Sequence, residues 1–260
     1  MSFPRSPLRL ARMLAGVGLV HLRAAAGRHS RFRGAWPDRA AALAALPADH
    51  RAGYDSAGIA DVSFAEMCQR APWDYPVLFW LDRLLPRDGR LIDAGGHLGT
   101  KYIAFADLLD LGGVRWTVQD LPAIVAHARR MQAAGALPAA LEFCTDPAQA
   151  GRADVLLASG LLQYLDRPLP ELLGQLTAPP RHLILNKVAL RDGPTLVTLE
   201  RIGTQRVPYR IRGARDWQAE LAATGYRLAD QWDIPELGHV IPTHPWTGRS
   251  YSRGYLLHRD

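Results

Sequence analysis

Apolar and basic positions interleave at the start of the chain. Leu8, Leu14, Leu19 and Leu22 alternate with Arg5, Arg9 and Arg12, the pattern of a basic amphipathic helix. Such a helix either packs on a domain or rests on a membrane surface. The same arginines ahead of the apolar run Met13 to Val20 and of Ala24-Ala25-Ala26 also loosely resemble a signal peptide, although the run is short and holds two glycines. No stretch of some 20 apolar residues is present, so nothing is expected to span a bilayer. From Ser30 to about Ala60 the chain is rich in Ala, Arg, Gly and Pro, with a helix predicted from Asp38 to Ala45 and another from Asp61 to Arg70. A third begins at Trp73-Asp74-Tyr75-Pro76 and stops near Pro86. Residues 1–86 therefore read as an N-terminal helical lead-in or cap.

After Gly89 the periodicity changes to short apolar runs alternating with helical segments, the form of a parallel sheet with crossover helices. Strands are predicted at Arg90–Asp93, Arg115–Gln119, Leu141–Cys144, Asp154–Ala158 and His182–Lys187. Between them lie helices Leu98–Leu109, Pro122–Ala134 and Leu169–Leu176. The run at Asp154–Ala158 is nearly unbroken, as for a strand covered on both faces. Segments Leu196–Leu199 and Val207–Ile211 break the alternation and read as a β-rich substrate-side insertion at about 195–212. A helix Ala214–Ala223 and strands Tyr226–Trp232 and Tyr251–His258, the last two as an antiparallel pair, close a mostly parallel seven-stranded sheet over residues 87–260.

Composition adds bounds. The chain has 260 residues, 48% hydrophobic and 22% charged, ordinary for a soluble globular protein. Its 31 basic residues include only two lysines, Lys101 and Lys187, and the net charge of +6 requires neither nucleic acid nor membrane. Cys68 and Cys144 lie far apart without C-x-x-C spacing, so neither a disulfide framework nor a zinc site is expected, and a reducing cytoplasm is the natural compartment.

The candidate chemistry lies at the predicted strand ends. Asp93-Ala94-Gly95-Gly96-His97-Leu98-Gly99 places an acid at the end of the first strand, then a glycine turn, then a helix. Glycines here allow positive φ and close approach of the backbone to a ligand, and helix-start amides favour an anionic group. The spacing D-x-G-G-x-x-G differs from the G-x-G-x-x-G of dinucleotide sites, which disfavours an NAD-linked oxidoreductase. The next strand ends in Gln119-Asp120-Leu121-Pro122, where Asp120 can take both hydroxyls of a ribose. The fourth strand leads into Ser159-Gly160-Leu161-Leu162-Gln163-Tyr164-Leu165, placed where open α/β sheets bind ligands. Lys187 closes the fifth strand and could orient an anionic substrate. His97, His239 and His244 are the candidate bases, the last two in the proline-rich Ile234–Trp246 loop.

Together these motifs resemble the S-adenosylmethionine-dependent O-methyltransferases, class I. A nearer resemblance is to a bacterial group of uncharacterised methyltransferases often associated with surface-polysaccharide gene clusters. Its features recur as Gly53-Tyr54-Asp55, Tyr75-Pro76-Val77-Leu78, Ser159 to Leu165 and Ile184-Leu185-Asn186-Lys187, over about Arg31 to His258. The resemblance implies a Rossmann-like class I fold and S-adenosyl-L-methionine held by Asp93, Gly95, Gly96 and Asp120, with Ala94, Gly99, Leu121, Ser159 and Gly160 around it. It implies methyl transfer to an oxygen of a small molecule or saccharide precursor. Two departures stand out. His97 replaces a usual glycine, and Gln163 sits near the position where plant-type relatives carry a histidine base. Glutamine cannot act as that base, so His97, Gln163, Tyr164 and Lys187 form the candidate catalytic set. The alternative is a protein that keeps the fold and binds the cofactor or a partner without transfer.

Overall fold

The computed structural model describes residues 6–25, 30–47 and 64–259. Gly53-Tyr54-Asp55, Arg5 and the start of the helix expected from Asp61 lie outside them. The described elements begin with α1 (Pro7–Ala25), β1 (Phe32–Trp36), α2 (Arg39–Ala44), α3 (Phe64–Met67) and α4 (Tyr75–Leu84). Then follow β2 (Arg90–Ala94), α5 (Thr100–Phe105), β3 (Arg115–Gln119), α6 (Pro122–Ala133), β4 (Leu141–Cys144) and β5 (Val155–Ser159). The chain continues with α7 (Leu169–Gly174), β6 (His182–Arg191), β7 (Leu196–Ile202), β8 (Gln205–Gly213), α8 (Ala214–Ala222), β9 (Arg227–Ile234) and β10 (Tyr251–His258).

Strands β4, β3, β2, β5 and β6 lie side by side and parallel. β10 runs antiparallel to both β6 and β9, completing the seven-stranded layer expected from the sequence. Period-two alternation decides which residues face which helix layer. Leu91, Leu157 and Ile184 pack on one face with Val77 and Leu81 of α4, Phe105 of α5 and Ile124 of α6. Their chain neighbours Ile92, Leu156, Leu183 and Leu185 pack on the other with Leu169, Leu172 and Trp217. Every strand in the middle is therefore apolar on both sides, which is why β5 reads as a continuous run.

The sheet does not stop at seven strands. β7 and β8 form an antiparallel hairpin, β8 pairs with Leu190 and Arg191 at the far end of β6, and β1 adds to β7. The hydrophobic pattern predicts no strand at residues 32–36, where arginine, glycine and alanine dominate. The segment becomes an edge strand because β7 offers it backbone partners and because Phe32 is buried beside Tyr209 and Ile211. The first 86 residues thus hold a strand as well as helices. β6 also runs four residues beyond its predicted end, since β10 and β8 both pair with its extension.

A bulge lies just before the extension. Val188 faces Arg253 and Leu185 faces Tyr255, so Asn186 and Lys187 together oppose the single residue Gly254. Lys187 takes φ 61°, in the left-handed region that a lysine rarely occupies. Across the bulge, the Trp232 indole lies flat over Gly254, where a Cβ would fall 1.9 Å from its ring, and its Nε1 donates to Asn186 Oδ1 at 3.2 Å. Gly254→Ala is expected to cost about 1–3 kcal/mol by overpacking, read as a drop in the urea midpoint, with lost Trp232 fluorescence protection marking displacement of the indole.

Candidate functional site

Asp93, the last polar residue of β2, is 1% exposed and accepts a hydrogen bond from Trp116 Nε1 at 3.2 Å. Burial pushes its carboxyl up to about 7, opposed by the Trp116 bond and by the positive charge of Lys101 and Lys187. The loop that follows folds back over it. Gly95 has φ 67° and donates to the Gln119 carbonyl at 2.8 Å, which ties the ends of β2 and β3 together. A Cβ on Gly96 would fall 2.4 Å from the Asp93 carboxylate carbon, so only glycine lets the turn close on that acid. His97 follows at φ 58° with a buried ring, and Gly99 at φ 78° begins α5.

Asp120 meets this loop from the end of β3. Its Oδ2 accepts the His97 amide at 2.8 Å and its Oδ1 accepts the Leu121 amide at 2.7 Å. The two acids therefore bracket the glycine turn, one beneath it and one at its flank. Leu121 is 38% exposed beside them. Ala94 ends β2 between Asp93 and the turn, at the Gln119 level of β3.

On the other side of Asp93, β5 and β6 are in register so that Ser159 sits opposite Asn186. Gly160, at φ 81°, donates to the Asn186 carbonyl at 2.9 Å and leaves room for Lys187, whose Nζ lies 3.2 Å from where a Cβ would be. Gln163 Nε2 is 3.6 Å from the same point. Ser159, Gly160, Gln163 and Lys187 thus form one wall. Gln163 is 7% exposed, and its Oε1 finds no partner among the described residues. Burial and the neighbouring Lys101 charge push the Lys187 ammonium down to about 8, against the pull of Asp74 and Asp93.

Sequence reasoning missed Asp74 and Lys101. Asp74, fully buried in the turn that starts α4, accepts Lys101 Nζ at 2.8 Å and the Ala71 amide at 3.0 Å through Oδ2. Its Oδ1 is buried with no partner among the described residues. The available signal was compositional: in a chain whose other cations are arginines, both lysines converge on Asp93. Asn186, which also donates to the Trp73 carbonyl at 3.1 Å, was noticed only as part of a motif.

The structure sends Tyr164 elsewhere. Its hydroxyl donates to Glu200 Oε2 on β7 at 2.6 Å, and Glu200 is held in turn by Arg31 at 2.7 Å. Tyr164 stacks edge-on to Tyr209, Tyr209 to Phe32, and Phe32 lies 4.7 Å from His239. Burial, with Arg31 and Arg249 nearby, pushes His239 down to about 4, so its ring is neutral. His244 turns to Thr243 Oγ1 at 2.9 Å and to the Trp246 ring. Neither histidine joins the Asp93 cluster; both belong to the sheet extension that begins where Gln163 ends.

This doubly wound sheet with its reversed last strand is a Rossmann-like fold. The structure is similar to that of the glycopeptide N-methyltransferase MtfA complexed with S-adenosyl-L-homocysteine, with a TM-score of 0.50 and 14% identity over 74% of this chain and 92% of that one. Two further similar structures are the 1,6-didemethyltoxoflavin-N1-methyltransferase of Burkholderia thailandensis, with TM-score 0.44, 18% identity and coverage of 100% and 93%, and the magnesium protoporphyrin IX methyltransferase of Synechocystis, with TM-score 0.44, 20% identity and coverage of 72% and 77%. No protein-family model matches the chain, and no curated protein matches it in sequence.

Proposed function

We propose that the protein is an S-adenosylmethionine-dependent methyltransferase acting on an oxygen of a small molecule or saccharide precursor. The observation that carries this reading is the pair of acids, Asp93 and Asp120, bracketing a turn that only glycine can close. The residues fit the ligand. Asp93 and Asp74 Oδ1, unpartnered among the described residues, offer negative charge to an ammonium, the Asp120 carboxylate suits ribose hydroxyls, and Leu121 offers an apolar face to a ring. Bound S-adenosylmethionine would supply an electrophilic methyl group on a sulfonium. The chain's own part is to position the acceptor, because methyl transfer is an in-line displacement that depends on alignment. Gln163 Oε1 can accept a hydrogen bond from the acceptor's hydroxyl, and Lys187 can hold an anionic group or a developing charge. Titration calorimetry with S-adenosylmethionine, S-adenosylhomocysteine and NAD tests the reading: binding of the two sulfur ligands and not of NAD is expected, and no binding of either by folded protein overturns it.

A specific observation keeps the non-catalytic alternative in play. Gln163 cannot take a proton, and the Tyr164 hydroxyl is engaged by Glu200. Methylation of any acceptor that disappears in Asp93→Ala removes that alternative.

The state of Lys187 can be read directly. With Lys101 and Lys187 the only lysines, peptide mapping after acetic anhydride treatment separates them. Lys187 is expected to become reactive with a midpoint near pH 8, since a lowered pKa frees the neutral amine earlier as pH rises. A Lys187 midpoint near that of a free lysine would place the amine in water and away from the cluster.

A further inference from the structure

Helix α1 has two apolar faces. At 100° per residue, Leu10, Met13, Val17 and Val20 share one sector, and all four are half-buried. Leu8, Ala11, Ala15, Leu19 and Leu22 share the opposite sector, and all five are exposed, Leu8 at 73% and Leu22 at 70%. Leu14 is 57% exposed at its margin. Helices of globular proteins turn a single apolar stripe inward and a polar face outward. Here the outward face is the apolar one.

The charge around that face is of one sign. Arg9, Arg12 and Arg23 lie along one edge of the exposed sector and are themselves exposed. Seven arginines and no Asp or Glu occupy the first 37 residues, while the remaining 223 carry 24 basic and 25 acidic side chains. The chain's positive excess is thus concentrated in the segment that bears the exposed leucines. Of the described residues, no helix is long and apolar enough to cross a membrane, so this helix does not insert end-on.

We propose that α1 lies along an anionic lipid surface, with Leu8, Leu19 and Leu22 sunk into the acyl boundary and Arg9, Arg12 and Arg23 among the headgroups. The half-buried inner sector faces away from the lipid, with His21 at its edge near enough to His244, in the segment between β9 and β10, to help lower that imidazole's pKa. A helix of 19 residues is about 28 Å long, enough to lie flat with four turns of apolar contact. Apolar area and electrostatic attraction act together in such binding, and each basic residue that reaches an anionic surface strengthens it about fivefold. The chemistry favours lipid over a second copy of this chain, because two such faces would bring like-charged arginine edges together.

The test is vesicle flotation with the full chain. Three arginines at that strength predict binding to phosphatidylcholine vesicles containing phosphatidylglycerol roughly a hundredfold tighter than to phosphatidylcholine alone, weakening as salt is raised. The triple variant Leu8→Glu, Leu19→Glu, Leu22→Glu should keep its melting temperature and S-adenosylmethionine affinity but remain in solution. The variant Arg9→Gln, Arg12→Gln, Arg23→Gln should lose the preference for anionic vesicles. If the unaltered chain does not float with anionic vesicles at low salt, or the glutamate variant floats as well as it does, the proposal falls. Sedimentation showing a dimer abolished by the same glutamates, or duplex nucleic acid bound through these arginines, in either case without vesicle binding, overturns it in favour of those partners. Because calorimetry of the variants is separate from flotation, failure here leaves the methyltransferase reading untouched.

Discussion

Asp93→Asn is expected to stabilise the ligand-free protein while removing most of its affinity for S-adenosylmethionine. The Asp93 carboxyl is 1% exposed and titrates at about 7 in the fold against 3.8 in an ordinary carboxyl. Between those values the folded state holds a proton that the unfolded chain has released. Its contribution to stability therefore declines as pH rises from about 4 to about 7 and is fully lost above that. Asparagine carries no charge to bury and keeps one oxygen for Trp116, so at pH 8 the variant should gain on the order of 1–3 kcal/mol. At pH 4–5 the gain should vanish. Binding should move the opposite way: loss of a charged hydrogen-bond partner for the ligand's ammonium corresponds to roughly 10- to 100-fold in affinity. Urea titrations at the two pH values and calorimetry at pH 8 decide it. A loss of stability equal at both pH values would mean that the carboxylate braces the loop through its shape, and unchanged affinity would mean that the ligand does not meet it.

The second large effect is expected at Arg212. It is 1% exposed at the end of β8, where Nε donates to Glu220 at 3.1 Å, Nη1 to the Leu162 carbonyl at 2.8 Å, and the guanidinium lies over the Trp217 ring. Arg212 thereby fastens the turn that carries Gln163 and Tyr164 to the sheet extension. Methionine fills similar space, but it leaves Glu220 and the carbonyl without their donor. Breaking a buried pair from one side costs about 3–5 kcal/mol; with the Glu220 side chain 13% exposed, the lower end is expected. Adding Glu220→Gln should recover part of the loss, because glutamine keeps an acceptor for the Leu169 amide and removes the stranded charge. A urea midpoint unchanged in Arg212→Met would show that the pair is not what holds the turn.

Both residues show how far the sequence could be read. Asp93 was legible because its chemistry is local: strand end, acid and glycine turn occupy seven consecutive residues. The same holds for Asp120, one residue beyond a strand whose apolar pattern is unambiguous. Asp74, Lys101 and Arg212 were not legible, since each finds its partner far along the chain. The Asp74–Lys101 pair is separated by 27 residues and the Arg212–Leu162 contact by 50. Tyr164 illustrates the converse. Its position in the exit loop of β5 pointed to the side where ligands bind, and the structure gives its hydroxyl to Glu200, just past the β-rich segment expected at Leu196–Leu199.

By itself the sequence determined the alternating strands and helices, the seven-stranded layer and the two acids at adjacent strand ends, because hydrophobic periodicity and turn chemistry act over a few residues. Only the tertiary structure decided that β1 joins the sheet, that a bulge opposite Gly254 turns Lys187 toward Gly160 and Gln163, and that both lysines gather around Asp93. Those outcomes depend on which distant strands supply backbone partners and on how deeply the charges are buried, and burial, more than identity, sets whether a carboxyl or an amine is charged.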